Sequence, residues 1–243
     1  MSQVKLIVSN WKMNLNISDS KKLINDLIKF SNNNSIEHVV CPQFALIPSV
    51  SRLIKESKIT LGAQDCHHEK IGAYTGDTSV QILKELNCKY VILGHSERRD
   101  YHSESNELVK KKVFLAISEG LKPIICVGES IEDRKKNNYL NVVEKQLDIC
   151  VPYEYNNVVI AYEPIWSIGT GLIPTNKEIL EMKKFTYNFL KSKKRIHKVN
   201  FLYGGSVNSI NFHEIMNDTK VDGALIGGSS LKIIEMNKIL TFC

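Results

Sequence analysis

Val158-Val159-Ile160-Ala161-Tyr162-Glu163-Pro164 runs through five apolar or aromatic residues and stops on a carboxylate. A strand with one face in water alternates apolar and polar residues. A run that is apolar at every position suits a parallel strand covered on both faces. Pro164 biases Glu163 away from the helical region, so the carboxylate leaves the strand extended. Runs of the same kind recur along the chain. The strand candidates are 4–9, 38–41, 60–63, 90–93, 123–127, 158–162, 200–203 and 223–226, eight in all.

Helical patterns fill the gaps between them. Leu23, Ile24, Leu27 and Ile28 mark one; Val109, Val113, Ala116 and Ile117 mark another that begins near Ser103 or Ser105. Thr175 with Glu178 forms a capping box ahead of Ile179, Met182 and Phe189. Ile210, Ile215 and Met216, then Leu231, Ile234 and Leu240, suggest the last two. Alternating strands and helices in a chain of 243 residues predict one α/β domain, 1–243, folded as a closed (β/α)8 barrel. A doubly wound open sheet is the alternative. It normally has fewer strands, and no Gly-x-Gly-x-x-Gly follows the first strand.

Composition narrows the function classes. Hydrophobic residues make up 43% and charged residues 24%, the balance of a globular domain with a large core. No apolar run approaches the ~18–20 residues of a membrane span. The apolar stretch within residues 1–8 is too short for a signal peptide. The six cysteines show neither C-x-x-C nor zinc-ligand spacing. The expectation is reduced thiols in the cytoplasm, with Cys41 and Cys126 as small core residues. The net charge of +6 is spread along the chain. Its short runs, at 110–112, 135–136 and 193–195, read as solvated helix faces. No basic stretch is interleaved with aromatics, so a nucleic-acid partner is not expected.

In a barrel of this kind, the chemistry sits just past the C-terminal ends of the strands. After the first strand comes Asn10-Trp11-Lys12-Met13-Asn14; Lys12 there is a fixed cation or, standing alone, an ordinary solvated lysine. After the fourth comes Gly94-His95-Ser96-Glu97-Arg98-Arg99. His95 falls where a short helix can start, and a helix N-terminus disfavours imidazolium; a structural histidine is equally open. After the sixth, Glu163 precedes a bulky apolar stretch with two glycines, 165–171, a composition suited to a lid that excludes water. An ordinary loop with Glu163 paired to a cation is the plainer reading. Gly204-Gly205-Ser206 and Gly227-Gly228 follow the last two strands. Such glycines let backbone amides approach a phosphate, although a single pair is usually only a turn.

Together these stretches resemble triosephosphate isomerases, from residue 4 to about residue 240. The resemblance is carried by Asn10-Trp11-Lys12-Met13-Asn14, by Val91-Ile92-Leu93-Gly94-His95-Ser96-Glu97-Arg98-Arg99, by Ala161-Tyr162-Glu163-Pro164-Ile165-Trp166 with Ile168-Gly169-Thr170-Gly171, and by Tyr203-Gly204-Gly205-Ser206-Val207 with Gly227-Gly228. It implies interconversion of dihydroxyacetone phosphate and D-glyceraldehyde 3-phosphate through an enediol(ate), a step of glycolysis and gluconeogenesis. No metal or organic cofactor is implied. Glu163 would be the base and a neutral His95 the electrophile, a pairing already described for this enzyme. Lys12 would stabilise negative charge, Asn10 would help hold the site, and Glu97 would tie down Lys12. Gly169, Ser206, Gly227 and Gly228 would bind phosphate through backbone amides.

The resemblance further implies a homodimer. The loop Gly72-Ala73-Tyr74-Thr75-Gly76-Asp77 would insert into the neighbour, with Thr75 near its Asn10 and His95 and Asp77 pairing with its Arg98. Members of the family usually carry alanine where Ser167 stands, lysine at Leu172, glutamate at Asp77, asparagine at Asp65 and alanine at Ser229. Other readings are a different phosphate-binding barrel isomerase, an inactive scaffold, or an RNA-binding protein using the net charge.

Overall fold

A computed structural model describes residues 4–31, 33–168 and 172–241. Its strands are β1 (Lys5–Asn10), β2 (Ile36–Cys41), β3 (Thr60–Ala63), β4 (Cys88–Leu93), β5 (Lys122–Val127), β6 (Val158–Tyr162), β7 (Val199–Tyr203) and β8 (Gly223–Ile226). All pair in parallel and in chain order, and β8 returns to β1 to close the ring. The expected (β/α)8 barrel is therefore present. Four strands begin one or two residues earlier than the apolar runs suggest, at Ile36, Cys88, Lys122 and Val199. At Lys122 the ladder starts at the solvent rim, where the side chain is exposed and the hydrophobic signal has not yet begun.

The helices among the described residues are α1 (Ile17–Phe30), α2 (Ile47–Leu53), α3 (Val80–Glu85), α4 (Ser96–Tyr101), α5 (Asn106–Ser118), α6 (Ile131–Lys135), α7 (Tyr139–Cys150), α8 (Asn176–Lys194), α9 (Phe212–Thr219) and α10 (Ile233–Leu240). The fourth and fifth units each carry an extra short helix. The α8 capping box forms as read: the Thr175 side chain accepts from Glu178 N, and Glu178 caps Thr175 N in return. Ser105 caps α5 through Leu108 N.

Two apolar layers explain why the strands read as unbroken runs. Leu6, Val8, Val39, Tyr90, Ile92, Ile124, Val159, Leu202 and Leu225 fill the ring with Cys41, Cys126 and Ala161. Their neighbours in sequence, such as Ile7, Val40, Val91, Ile125, Ile160 and Phe201, face outward and pack with the helices around Ile24, Leu27, Val113, Leu147 and Met182. Each large side chain so buried contributes roughly 1.5–3 kcal/mol.

Three readings need correction. Lys112 is not on a solvated face: it lies on the inner face of α5 with Val109, Val113 and Ala116 and is only 3% exposed. Its charge is offset there by Asp65 and Glu104. Ile210 is exposed in the loop before α9, and Ile234 is exposed on α10. The inner face of α10 is made by Met236, Ile239 and Leu240 instead. No helix among the described residues is long and apolar enough to cross a membrane.

Candidate active site

The alternation that fills the ring also builds the site above it. Leu6 and Val8 point inward on β1, and Asn10 is the next inward position. Val159 and Ala161 lead to Glu163 in the same way, Leu202 to Gly204, and Leu225 to Gly227. Asn10, Glu163, Gly204 and Gly227 line a cavity of about 330 Å3 with Lys12, His95, Ile168, Ser206 and Gly228, and Leu225 belongs to both the core and the cavity wall.

Glu163 and His95 are both buried and meet directly. His95 Nε2 lies 3.0 Å from Glu163 Oε1, and Ser96 N donates to Glu163 Oε2 at 3.1 Å. His95 is the N-cap of α4, and its Nδ1 accepts from Glu97 N at 3.3 Å. A nitrogen that accepts carries no proton, so the partners assign the ring hydrogen to Nε2, facing Glu163. Burial works against a charged imidazole, but the adjacent Glu163 carboxylate outweighs it and lifts His95 above its ordinary value. The helix start thus acts on His95 through one aimed N–H, while Glu163 pulls the other way for as long as it rests there.

Lys12 has a left-handed backbone, φ +52°, unusual for a residue with a side chain. Asn10 supports it by accepting from Lys12 N at 3.0 Å, and Gln64 donates to its carbonyl at 2.8 Å. The ammonium reaches Glu97 Oε1 at 2.6 Å. Gly227 makes room for it: a Cβ there would lie 3.2 Å from Lys12 Cε. Gly204 does the same for the base, since a Cβ there would come within 2.9 Å of Glu163 Cγ. Ser206, Gly227 and Gly228 also line the cavity. Gly169 lies outside the described residues.

Sequence reasoning missed Glu129. It stands two residues beyond the end of β5, as Glu163 stands one beyond β6, so the strand-end rule could have found it. The carboxylate is fully buried and takes Arg134 Nε at 2.7 Å, the Tyr162 hydroxyl at 3.0 Å and Trp166 Nε1 at 3.1 Å. It anchors the segment that leads away from Glu163. Among the described residues, no group of three or more His, Cys, Asp or Glu side chains is placed to hold a metal ion.

A family model described as triosephosphate isomerase matches residues 5–243. The chain belongs to the triosephosphate isomerase family. It is 43% identical to the triosephosphate isomerase of Alkaliphilus oremlandii, with 98% of each chain covered. It is 38% identical to that of Aquifex aeolicus, covering 97% of this chain and 98% of the other. The crystal structure of triosephosphate isomerase from Bartonella henselae superposes with a TM-score of 0.89 at 36% identity over 97% of both chains.

Beside the site, charged side chains pair with one another within the chain. Arg98 is engaged by Asp65 at 2.9 Å and Glu104 at 2.6 Å. Lys112 joins both carboxylates. Burial works against the Glu104 charge, yet hydrogen bonds from Lys112 and Arg98 hold its carboxyl below the usual range. Asp77 lies 3.6 Å from His67 of its own loop, and the His67 ring packs on Tyr74 at 4.0 Å. Thr75 is exposed at the tip of that loop. Beside the active-site cavity, a second one of about 390 Å3 is lined by Met13, Phe44, Tyr101 and His102 as well as Asn10, Lys12 and His95.

Proposed function

We propose that the chain interconverts dihydroxyacetone phosphate and D-glyceraldehyde 3-phosphate, with Glu163 moving the proton between the two carbons. The observation that carries this reading is the buried contact of Glu163 with His95 Nε2 at 3.0 Å, in a cavity that also holds Lys12 and the glycine edge. Glu163 turns from His95 onto the substrate carbon. The Nε2–H so released donates to the carbonyl oxygen, and the proton then moves between the two oxygens of the enediol. With Glu163 turned away, the main cause that lifts His95 is gone; burial favours the neutral ring, with Glu97 and Lys12 acting on it in opposite directions. Lys12 stabilises the enediolate and the phosphate dianion, held in place by Asn10 and Glu97. Backbone amides of Ser206 and Gly228, beside Gly227, bind phosphate oxygens, with Gly169 assigned the same part. Closing 166–171 over the site keeps water from the enediolate, which would lose phosphate in solution, and strengthens a carboxylate base.

The working form is proposed to be a homodimer. Ile71 is 78% exposed, Met13 87% and Tyr101 82%, and apolar surface of that kind marks an interface. The loop bearing Thr75 fits the neighbouring subunit's cavity beside Lys12, where it supports Asn10. Because Asp65 and Glu104 already neutralise Arg98, an ion pair from the partner's Asp77 contributes little. The reading treats 1–243 as one catalytic domain working in the cytoplasm, in keeping with free, buried Cys41, Cys66, Cys88, Cys126 and Cys150.

A coupled isomerase assay with and without a phosphate-bearing enediolate mimic tests the activity. Turnover of either triose phosphate, inhibited competitively by the mimic, is expected; a folded chain that turns over neither overturns the reading. Thr75→Arg places an unpaired charge in the buried contact at a cost of several kcal/mol. It should sediment as a monomer with sharply reduced activity. A wild-type chain that is monomeric at micromolar concentration and fully active contradicts the dimer.

A further inference from the structure

The hydroxyl of Ser167 has no spare bonding capacity. The residue is fully buried, and Oγ donates its hydrogen to the Leu172 carbonyl at 2.8 Å. Its lone pairs then receive the Ser206 backbone N–H and the Tyr203 hydroxyl, each at 3.4 Å. A hydroxyl offers one donor and two acceptor sites, and here all three are engaged. Ser206 Oγ closes the pair by donating to the Ser167 carbonyl at 2.7 Å. The approach is close enough that a Cβ on Gly205 would sit 2.9 Å from Ser167 Oγ.

The Ser206 N–H is one of the amides assigned above to the phosphate. A charge-assisted bond to a phosphate oxygen needs that N–H aligned on the anion, and in the free chain it is aligned on Ser167 Oγ. We propose that Ser167 is a positioning residue that competes with the substrate's phosphate for the Ser206 amide and so sets the phosphate affinity of the site. The proposal rests on reading this edge of the cavity as the phosphate site. Binding then exchanges one acceptor for another, whereas without the hydroxyl the amide faces only water, which phosphate displaces easily. The bond is long, so the effect is modest: about two- to fivefold in affinity.

The test measures inhibition by inorganic phosphate and KM for dihydroxyacetone phosphate, at fixed ionic strength, for wild type, Ser167→Ala and Ser167→Cys. The thiol keeps the shape but accepts poorly, so it separates the lost acceptor from lost packing. Both constants should fall about two- to fivefold in both variants, with no matching rise in kcat. In the wild type, the Ser206 amide resonance should shift on phosphate addition, and this needs no variant to fold. Unchanged or weaker phosphate inhibition in both variants, or tightening in the alanine variant alone, overturns the proposal and leaves the phosphate site standing; an unmoved Ser206 amide while phosphate inhibits overturns the proposal and the assignment of that amide to the phosphate. Absence of phosphate inhibition in the wild type overturns both.

Discussion

Strand β6 passes through two regions that differ completely within three residues. Val159 and Ala161 sit in the dry interior of the ring, surrounded by side chains such as Ile124, Cys126 and Leu202. One inward position further on, Glu163 is as buried as they are, but its neighbours are an imidazole and a backbone amide. The floor is held by shape and apolar area. The rim is held by aimed hydrogen bonds, a left-handed lysine and glycines that leave space. Burial is therefore not what separates core from site in this barrel; the number of partnered polar groups is. Damage to the rim should cost activity and spare the fold, and damage to the floor should do the reverse.

The largest expected effect on the rim, apart from loss of the base, is that of Lys12→Met. Removing a preorganised charge from a site of this kind lowers kcat by about 10²–10³. The Lys12–Glu97 pair is partly exposed, with side chains 27% and 40% accessible, so the melting temperature should hardly move. Equal losses of activity and stability would blur the distinction. On the floor, Ile92→Ala should destabilise by about 2–5 kcal/mol, measured by urea denaturation, while the folded fraction keeps near-normal KM.

His38 tests the outer layer. It is fully buried between Ser9 Oγ at 2.9 Å and Ser31 Oγ at 3.1 Å, and burial pushes its imidazole down to about 3. Its folded-state value lies below the ordinary 6.5, so the unfolded chain takes up the proton first as pH falls. The stabilisation is complete above pH 6.5 and is lost toward pH 3, at about 1.4 kcal/mol per pH unit. Stability measured from pH 6 down to pH 4 should fall less steeply in His38→Gln than in wild type; parallel slopes would refute the assignment. The smallest effect is expected from Leu172→Lys. The side chain is 57% exposed, so stability should change by less than about 0.5 kcal/mol, with modest changes in kcat and KM. A large change in solvent exchange of the transferred proton would instead give this position a part in water exclusion.

Much of this was legible in the sequence because burial on both faces leaves a distinctive trace. The ring strands are apolar at successive positions, and their polar terminators Asn10, His95 and Glu163 stand out against them. The capping residues Ser105 and Thr175 were equally readable. What escaped detection falls into two kinds. Helices α2, α3 and α6 span five to seven residues, too few to show a 3.6-residue period. The other kind is polar residues on inner faces, which interrupt the apolar signal. Lys112 does so on α5. Gln146 does so on α7, where it brackets Gly128 by accepting from its N–H at 2.8 Å and donating to its carbonyl at 3.0 Å. Partners so distant in sequence as Asp65 and Lys112, or Glu129 and Trp166, are brought together only when neighbouring strands pair, β3 with β4 and β5 with β6.

The central claim is that Glu163 is buried as chemistry and not as core. The direct measurement is kcat of Glu163→Gln, made beside its denaturation curve. Glutamine keeps the shape and a hydrogen-bonding end but cannot take up the proton. The expected result is a cooperative unfolding curve close to wild type and a loss of kcat of about 10²–10⁴. A well-folded variant that keeps more than about a tenth of wild-type kcat, far short of that loss, would contradict the account.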